Sequence, residues 1–370
     1  MKGFGRPVVF NWNMTTSCHH DCSFCGNASR KRTVDALSRD EAIQLVEEIG
    51  LSGVHHIWFS GGEPFLKKYF LEVLSKAFDI GLRVGVTTTG TVLTEKGLEL
   101  LQVWRSQLDH FNVSIHGHTR DLYMMVHRVD QLHVATRNLR SLAEAHIPFN
   151  INLVVGQYNI EYVVDICRFL TSFGPNRINF LPLRPVGGGQ KMTHDQVGFS
   201  QLLGVFSDVD KEIKMGNIVP VKYVTKDIVA GPFKSAFPNI LVQRDSCSAH
   251  SVLHMDADGD MRICTHLTDL GLNSELVSKF TASRDDKGTL LSSWESDNLG
   301  AFRRHMYQAI RHESCIVCPS FSSGRCTPCS FRAPNCVSEL KELGVIPEWA
   351  KSCGEGRNNM SRIPVTLVQN

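Results

Sequence analysis

The residues best equipped for chemistry lie near the start of the chain, in Cys18-His19-His20-Asp21-Cys22-Ser23-Phe24-Cys25. Three thiolates in one eight-residue loop hold three irons of a 4Fe–4S cube and leave the fourth open to a small molecule, since a closed cluster takes four cysteines. A zinc site that borrows a distant fourth ligand is the competing use of the same triplet. A second segment, Ser60-Gly61-Gly62-Glu63-Pro64, has paired glycines, which let backbone polar groups approach a ligand without obstruction from Cβ. Most of the remaining thiols cluster late in the chain: Cys247, Cys264, Cys315, Cys318, Cys326, Cys329, Cys336 and Cys353. Two C-x2-C pairs among them suit zinc or iron–sulfur ligation, because soft thiolates serve both. Cys167 stands alone inside a helix-period stretch and reads as a small buried hydrophobe.

Parallel strands separated by helices are expected to position these groups. Runs rich in β-branched and aromatic residues occupy 8–15, 56–60, 83–88, 111–115, 150–155 and 177–183. Amphipathic stretches at 39–49, 69–78, 95–103, 132–145 and 161–171 fall between them. Ser38, with Glu41 three residues on, predicts a capping box at the start of the first helix. Six βα units predict an α/β fold whose parallel sheet curls into a partial or complete barrel, with function at the C-terminal strand ends. The cysteine triplet follows the first strand and Gly61-Gly62 the second, so both fall at that end. The Pro- and Gly-rich stretch 182–189 is either a domain boundary or a long loop after the sixth strand, and 202–215 predicts a further helix. Residues 254–263 read as a hairpin with an Asp258-Gly259 turn that can bring Cys247 and Cys264 to one metal.

On these motifs the chain resembles the radical S-adenosylmethionine (radical SAM) enzymes. The resemblance implies a partial (β/α)6 barrel over 1–190, a bridging helical segment over 191–246, a cysteine-rich domain over 247–353 and a tail over 354–370. It implies that Cys18, Cys22 and Cys25 hold a 4Fe–4S cluster whose open iron chelates the methionine amino and carboxylate groups of the cofactor. Phe24 stands where the family places an aromatic beside the adenine, and Gly61, Gly62 and Glu63 match its ammonium-binding segment. Thr88-Thr89-Gly90 and Ser114-Ile115-His116-Gly117 resemble later strand-end motifs, which makes Thr89 and Ser114 candidate cofactor contacts. Thr89 replaces the family's Asn, and His116 replaces its Asp. The later cysteines resemble the SPASM extension. There Cys247 and Cys264 would share the nearer of two auxiliary 4Fe–4S clusters, and Cys315 and Cys318 would belong to the farther one. Cys326, Cys329, Cys336 and Cys353 complete the eight ligands, with their division open.

The composition is that of an ordinary globular protein, with 42% hydrophobic and 21% charged residues. A net charge of +2 gives no reason to invoke nucleic acid or a membrane surface, and no apolar run approaches the roughly 20 residues of a bilayer span. A cytoplasmic setting is therefore expected, in which clustered cysteines read as metal ligands before disulfides. Sixteen histidines include close pairs, but none of these has the i, i+4 spacing of a zinc protease; a histidine-based metal site is not expected.

The resemblance implies reductive cleavage of S-adenosylmethionine to a 5′-deoxyadenosyl radical that abstracts hydrogen from a substrate. SPASM-bearing members most often modify ribosomally made peptides or proteins, so a crosslink, thioether, epimerisation or oxidation of such a substrate is the leading expectation. Oxidation or epimerisation of a small secondary-metabolite precursor, such as an aminoglycoside, is the alternative. A non-catalytic zinc-binding scaffold is the rival from another class. Sulfatase maturation is disfavoured, because Thr265 follows Cys264 where that activity has Asp. Expected partners are a flavodoxin or ferredoxin-type electron donor and, since no leader-binding domain precedes the barrel, a separate leader-peptide-binding protein.

Overall fold

The computed structural model describes residues 6–27, 35–245, 248–262, 278–279, 290, 294–295, 318–323 and 336–345. The first six strands are β1 (Val9–Asn13), β2 (His56–Ser60), β3 (Arg83–Thr88), β4 (Leu108–Ser114), β5 (Asn150–Val155) and β6 (Arg177–Pro182). Each pairs in parallel with the next. The connecting helices are α1 (Arg39–Leu51), α2 (Phe70–Asp79), α3 (Glu95–Val103), α4 (Arg120–His127), α5 (Leu132–Glu144) and α6 (Val163–Thr171). The expected six βα units are therefore present. The capping box also forms: Ser38 Oγ accepts from the Glu41 amide at 3.4 Å, and Glu41 Oε2 accepts from the Ser38 amide at 2.8 Å.

Strand alternation divides the sheet into two chemistries. Phe10, Trp12, Ile57, Phe59, Val84, Val86, Phe111, Val113, Ile151, Leu153, Ile178 and Phe180 are buried under the helices. Full burial of each such side chain is worth roughly 1.5–3 kcal/mol, so this layer drives folding. The opposite face is polar. Asn150 donates to Asn112 Oδ1 at 3.0 Å and Asn179 to Asn152 Oδ1 at 2.8 Å, tying β4, β5 and β6 through side-chain amides. Cys167 on α6 is fully buried, and burial pushes its thiol up to about 12, as suits a packing residue.

The sheet extends beyond the six expected strands and does not close. Residues 191–246 supply α7 (Phe199–Lys214), β7 (Val221–Lys226), α8 (Asp227–Ala236) and β8 (Leu241–Asp245). The expectation of a helical bridge accounts for the two helices but not for two parallel strands added beside β6. In β7 buried Val221, Tyr223 and Thr225 alternate with half-buried Lys222, Val224 and Lys226, so its period is two although half of it is polar. On the other side, β9 (Val252–Met255) runs parallel to β1, and β10 (Asp260–Arg262) returns antiparallel to it. This is the expected hairpin: the Gly259 amide donates to Asp256 O at 2.9 Å, and Gly259 takes the positive φ of 83° that the turn requires. The two-residue β11 (Ser278–Lys279) completes the order β11-β10-β9-β1-β2-β3-β4-β5-β6-β7-β8. No helix among the described residues is long and apolar enough to cross a membrane.

Candidate active site

The loop after β1 is held from three directions. Thr15 O accepts from the Gly62 amide at 2.7 Å and Ser17 O from the Glu63 amide at 2.8 Å, so the loops after β1 and β2 pair like a short ladder. Both glycines are needed for that approach. A Cβ on Gly61, whose φ is +126°, would lie 2.6 Å from Thr15 O, and one on Gly62 only 2.1 Å from Ser17 O. Asp35 accepts from Thr15 Oγ1 at 2.8 Å and from the Thr16 amide at 3.1 Å, and it pairs with Lys67 at 2.7 Å. From the far side, the loop after β6 donates its Gly188 amide to Cys25 O at 2.8 Å. The stretch 182–189 thus comprises the end of the sixth strand and the loop after it, packed on the cysteines.

Cys18, Cys22 and Cys25 are half-buried thiols outside any disulfide, turned tightly where the Cys25 amide donates to Cys22 O at 3.1 Å. All three line one cleft of roughly 200 Å³ at the C-terminal strand ends, together with Phe24, Gly61, Gly62, Thr89 and Ser114. The structure does not bring Glu63 to that cleft. Its side chain is fully buried and its carboxylate is occupied. Thr88 Oγ1 donates at 2.8 Å, the Thr89 amide at 2.6 Å, Thr89 Oγ1 at 2.7 Å and the Phe65 amide at 3.1 Å. There the carboxylate acts as a clamp that ties the Gly-Gly turn after β2 to the end of β3.

A histidine and aromatic cluster forms the back of the cleft. Phe24 meets His116 edge-on at 5.0 Å and lies parallel to Tyr158 at 6.5 Å. His116 Nδ1 accepts from the Val154 amide at 3.1 Å, and burial, followed by neighbouring His20, pushes its pKa down to about 3. His20 is also lowered, to about 4, by burial and then by His19, and neither of its ring nitrogens has a hydrogen-bond partner. His127, at the end of α4, stacks on Tyr123 at 4.0 Å and on His116 at 4.7 Å, and it is held neutral by burial and then by His116 and His20. The potential ligand atoms of His20, Cys22 and His127 lie within 4.8 Å of one another, a grouping with histidine that the sequence reading did not expect. The helix that delivers His127 was not anticipated. Its signals were Thr119, whose hydroxyl accepts from the Leu122 amide at 3.3 Å, and the i, i+4 pair Tyr123 and His127.

Of the auxiliary cysteines, Cys318 is described and buried, and Cys336 opens the short helix Cys336–Glu342. Cys247, Cys264, Cys315, Cys326, Cys329 and Cys353 lie outside the described residues. The triplet itself fits an iron–sulfur cluster: three soft thiols from one turn face a cleft whose other wall is glycine backbone and hydroxyl groups, a donor set suited to a cofactor that is both metallic and polar.

Residues 12–170 match the family model described as the Radical SAM superfamily. A probable GTP 3′,8-cyclase of Sulfurisphaera tokodaii is 25% identical over 294 residues, covering 78% of this chain and 91% of that protein. The corresponding protein of Sulfolobus acidocaldarius has the same identity and coverage. Streptococcus suis SuiB bound to precursor peptide SuiA superposes with a TM-score of 0.71 at 15% identity, over 94% of this chain and 77% of that one. Histidine-tagged anSMEcpe with bound AdoMet gives 0.64 at 15% identity, over 85% and 87%. At such identities the structural likeness establishes the fold.

Proposed function

Because this chain is an enzyme built on a radical SAM domain, we propose that Cys18, Cys22 and Cys25 hold its 4Fe–4S cluster, that S-adenosylmethionine binds in the adjoining cleft, and that the substrate is a peptide or protein. The observation that carries the reading is the convergence of three thiols with Gly61, Gly62, Thr89 and Ser114 on one cleft. Held by Cys18, Cys22 and Cys25 and by the adjoining cleft, the cluster and S-adenosylmethionine would supply one-electron reductive cleavage of the sulfonium C–S bond, with release of methionine, and hydrogen-atom abstraction from an unactivated C–H bond.

The chain's own residues bind, orient and shield. Glu63 fixes the Gly61-Gly62 backbone by gripping Thr88 and Thr89, and the Asn27 side chain donates to Gly61 O at 2.9 Å. Phe24, packed between His116 and Tyr158, offers an apolar wall for the adenine, and Ser114 offers a hydroxyl at the end of β4. This wall of Phe24, His116 and Tyr158 excludes water and thiols from the reacting carbon. A flavodoxin or ferredoxin-type donor would supply the electron. Cys247, Cys264, Cys315, Cys318, Cys326, Cys329, Cys336 and Cys353 would hold two further clusters.

Peptide chemistry is supported by the likeness to SuiB, whose fold matches nearly the whole of this chain. A second reading, a small polar substrate, is favoured by the amide-rich face of the sheet. There Arg177 and Lys222 stand on the same side of adjacent strands, and neither forms an ion pair among the described residues. The curated relatives, named for a reaction of GTP, lean the same way.

Anaerobic reconstitution and reduction with dithionite in the presence of S-adenosylmethionine test the activity. About four irons per chain are expected for the triplet alone and about twelve if the auxiliary sites fill. 5′-Deoxyadenosine should form with wild type and not with Cys22→Ala. Its absence from iron-loaded wild type refutes the reading. Stimulation of its formation by precursor peptides, against nucleoside triphosphates, decides between the two substrate classes.

A further inference from the structure

The C-terminal end of α4 meets the cysteine loop twice through one residue. The Asp21 amide donates to His127 O at 3.1 Å, and His127 Nδ1 lies 3.4 Å from Cys22 Sγ. The ring has no room to swing. It is 1% exposed, stacked between Tyr123 and His116, and edge-on to His20 at 5.0 Å. A neutral imidazole carries one N–H, on either nitrogen. Here Nδ1 faces sulfur while Nε2 is buried with no hydrogen-bond partner. Placing the proton on Nδ1 gives the donor an acceptor and orphans only a lone pair. The other tautomer would bury an unsatisfied N–H.

We propose that His127 is a positioning residue that donates its Nδ1–H to the Cys22 sulfur when that sulfur ligates iron, and so raises the reduction potential of the cluster. The proposal rests on the reading that Cys18, Cys22 and Cys25 hold the cluster. One-electron reduction adds negative charge that the ligating sulfurs share. An N–H dipole aimed at one of them in dry surroundings stabilises the reduced state more than the oxidised one. The contact is enclosed by rings: Tyr123, His116 and His20 pack around the imidazole that makes it.

The test uses the reconstituted holoenzyme, labelled with 15N-histidine and reduced with dithionite. Electron–nuclear double resonance should find a weak 15N coupling, and His127→Phe should abolish it. In an iron-replete His127→Phe protein the equilibrium constant for reduction should fall about tenfold, which is about 59 mV for a one-electron couple. His127→Asn, whose amide N–H occupies nearly the same place, should restore most of that shift; a purely structural role would lower stability in both variants and leave the potential alone. Absence of coupling in wild type, or an unchanged potential in His127→Phe, overturns the proposal. So does a coupling of the size given by nitrogen bonded directly to iron. If His127→Phe does not retain iron, the wild-type spectrum decides alone. An iron-replete, 5′-deoxyadenosine-producing wild type without the coupling sinks only the role of His127, whereas a wild type with no iron at the triplet sinks the proposed function and this inference with it.

Discussion

At the scale of single residues, the site is built from side chains that hold backbone in place as much as from groups that face a ligand. Glu63 is the leading case. Its two oxygens each accept a backbone amide, Phe65 on Oε1 and Thr89 on Oε2, besides the threonine hydroxyls. In Glu63→Gln one of those two amides must face the new NH2 group, whichever way the side chain is turned. The orphaned donor is expected to cost about 1–3 kcal/mol. Urea denaturation of the variant should show that loss, together with weaker S-adenosylmethionine binding as the Gly61-Gly62 turn loosens. A variant as stable as wild type would mean that the clamp is unimportant. The cysteine triplet and the Gly-Gly-Glu-Pro segment were legible because each is contiguous, so spacing alone reveals them. The role of Glu63 was not, because its partners lie 25 residues on, and Asp35 and His127 reach the same loop from other elements.

At the scale of elements, strand and helix periodicity located β2, β3 and β5 to the residue, because their alternation is regular and turn residues bound them. α4 was overlooked because only two turns separate Thr119 from the left-handed Arg128, too few for a period to assert itself. β7 was overlooked because its lysines disguise the alternation. How loops join elements is open to a direct test. Gly62→Ala places a methyl 2.1 Å from Ser17 O, a backbone atom pinned by the Glu63 amide. The cysteine loop must therefore shift. Iron bound per chain after reconstitution should fall severalfold while far-ultraviolet circular dichroism stays native. Gly204→Ala, in α7 with open space around its Cβ, is the control; it should keep its iron and gain up to about 1 kcal/mol from helix propensity. Equal iron in the two variants would mean that the two loops do not need their close approach.

At the scale of the whole molecule, the sheet joins sequence-distant parts: β1 lies between β2 and β9, so the hairpin at 252–262 completes the N-terminal sheet. Sequence pattern predicts a hairpin but not the edge it joins, since any exposed strand offers the same backbone groups. One consequence of so much polar material inside this sheet is its response to acid. His110, on β4, has its pKa pushed down to about 4 by burial, with Lys222 and Arg177 opposing protonation and Asp109 favouring it, and His116 is pushed down to about 3. In the unfolded chain both titrate near 6.5. Above that pH neither state holds a proton on them and they contribute nothing to the pH dependence. As pH falls below 6.5 the unfolded chain takes up protons that the folded chain refuses, so stability must decline, by up to about 1.4 kcal/mol per pH unit for each histidine. His20 and His127 act in the same sense. The decline ends only when the folded protein binds the protons too, near pH 4 for His110 and lower for His116. Urea unfolding of cluster-free protein at pH 7.5, 6 and 5 should therefore show a loss that steepens across that interval. His110→Gln should reduce the slope by one proton's worth. A flat profile between pH 7 and 5 would mean that these rings are hydrated and that the polar face beneath the cofactor cleft is wetter than its packing implies.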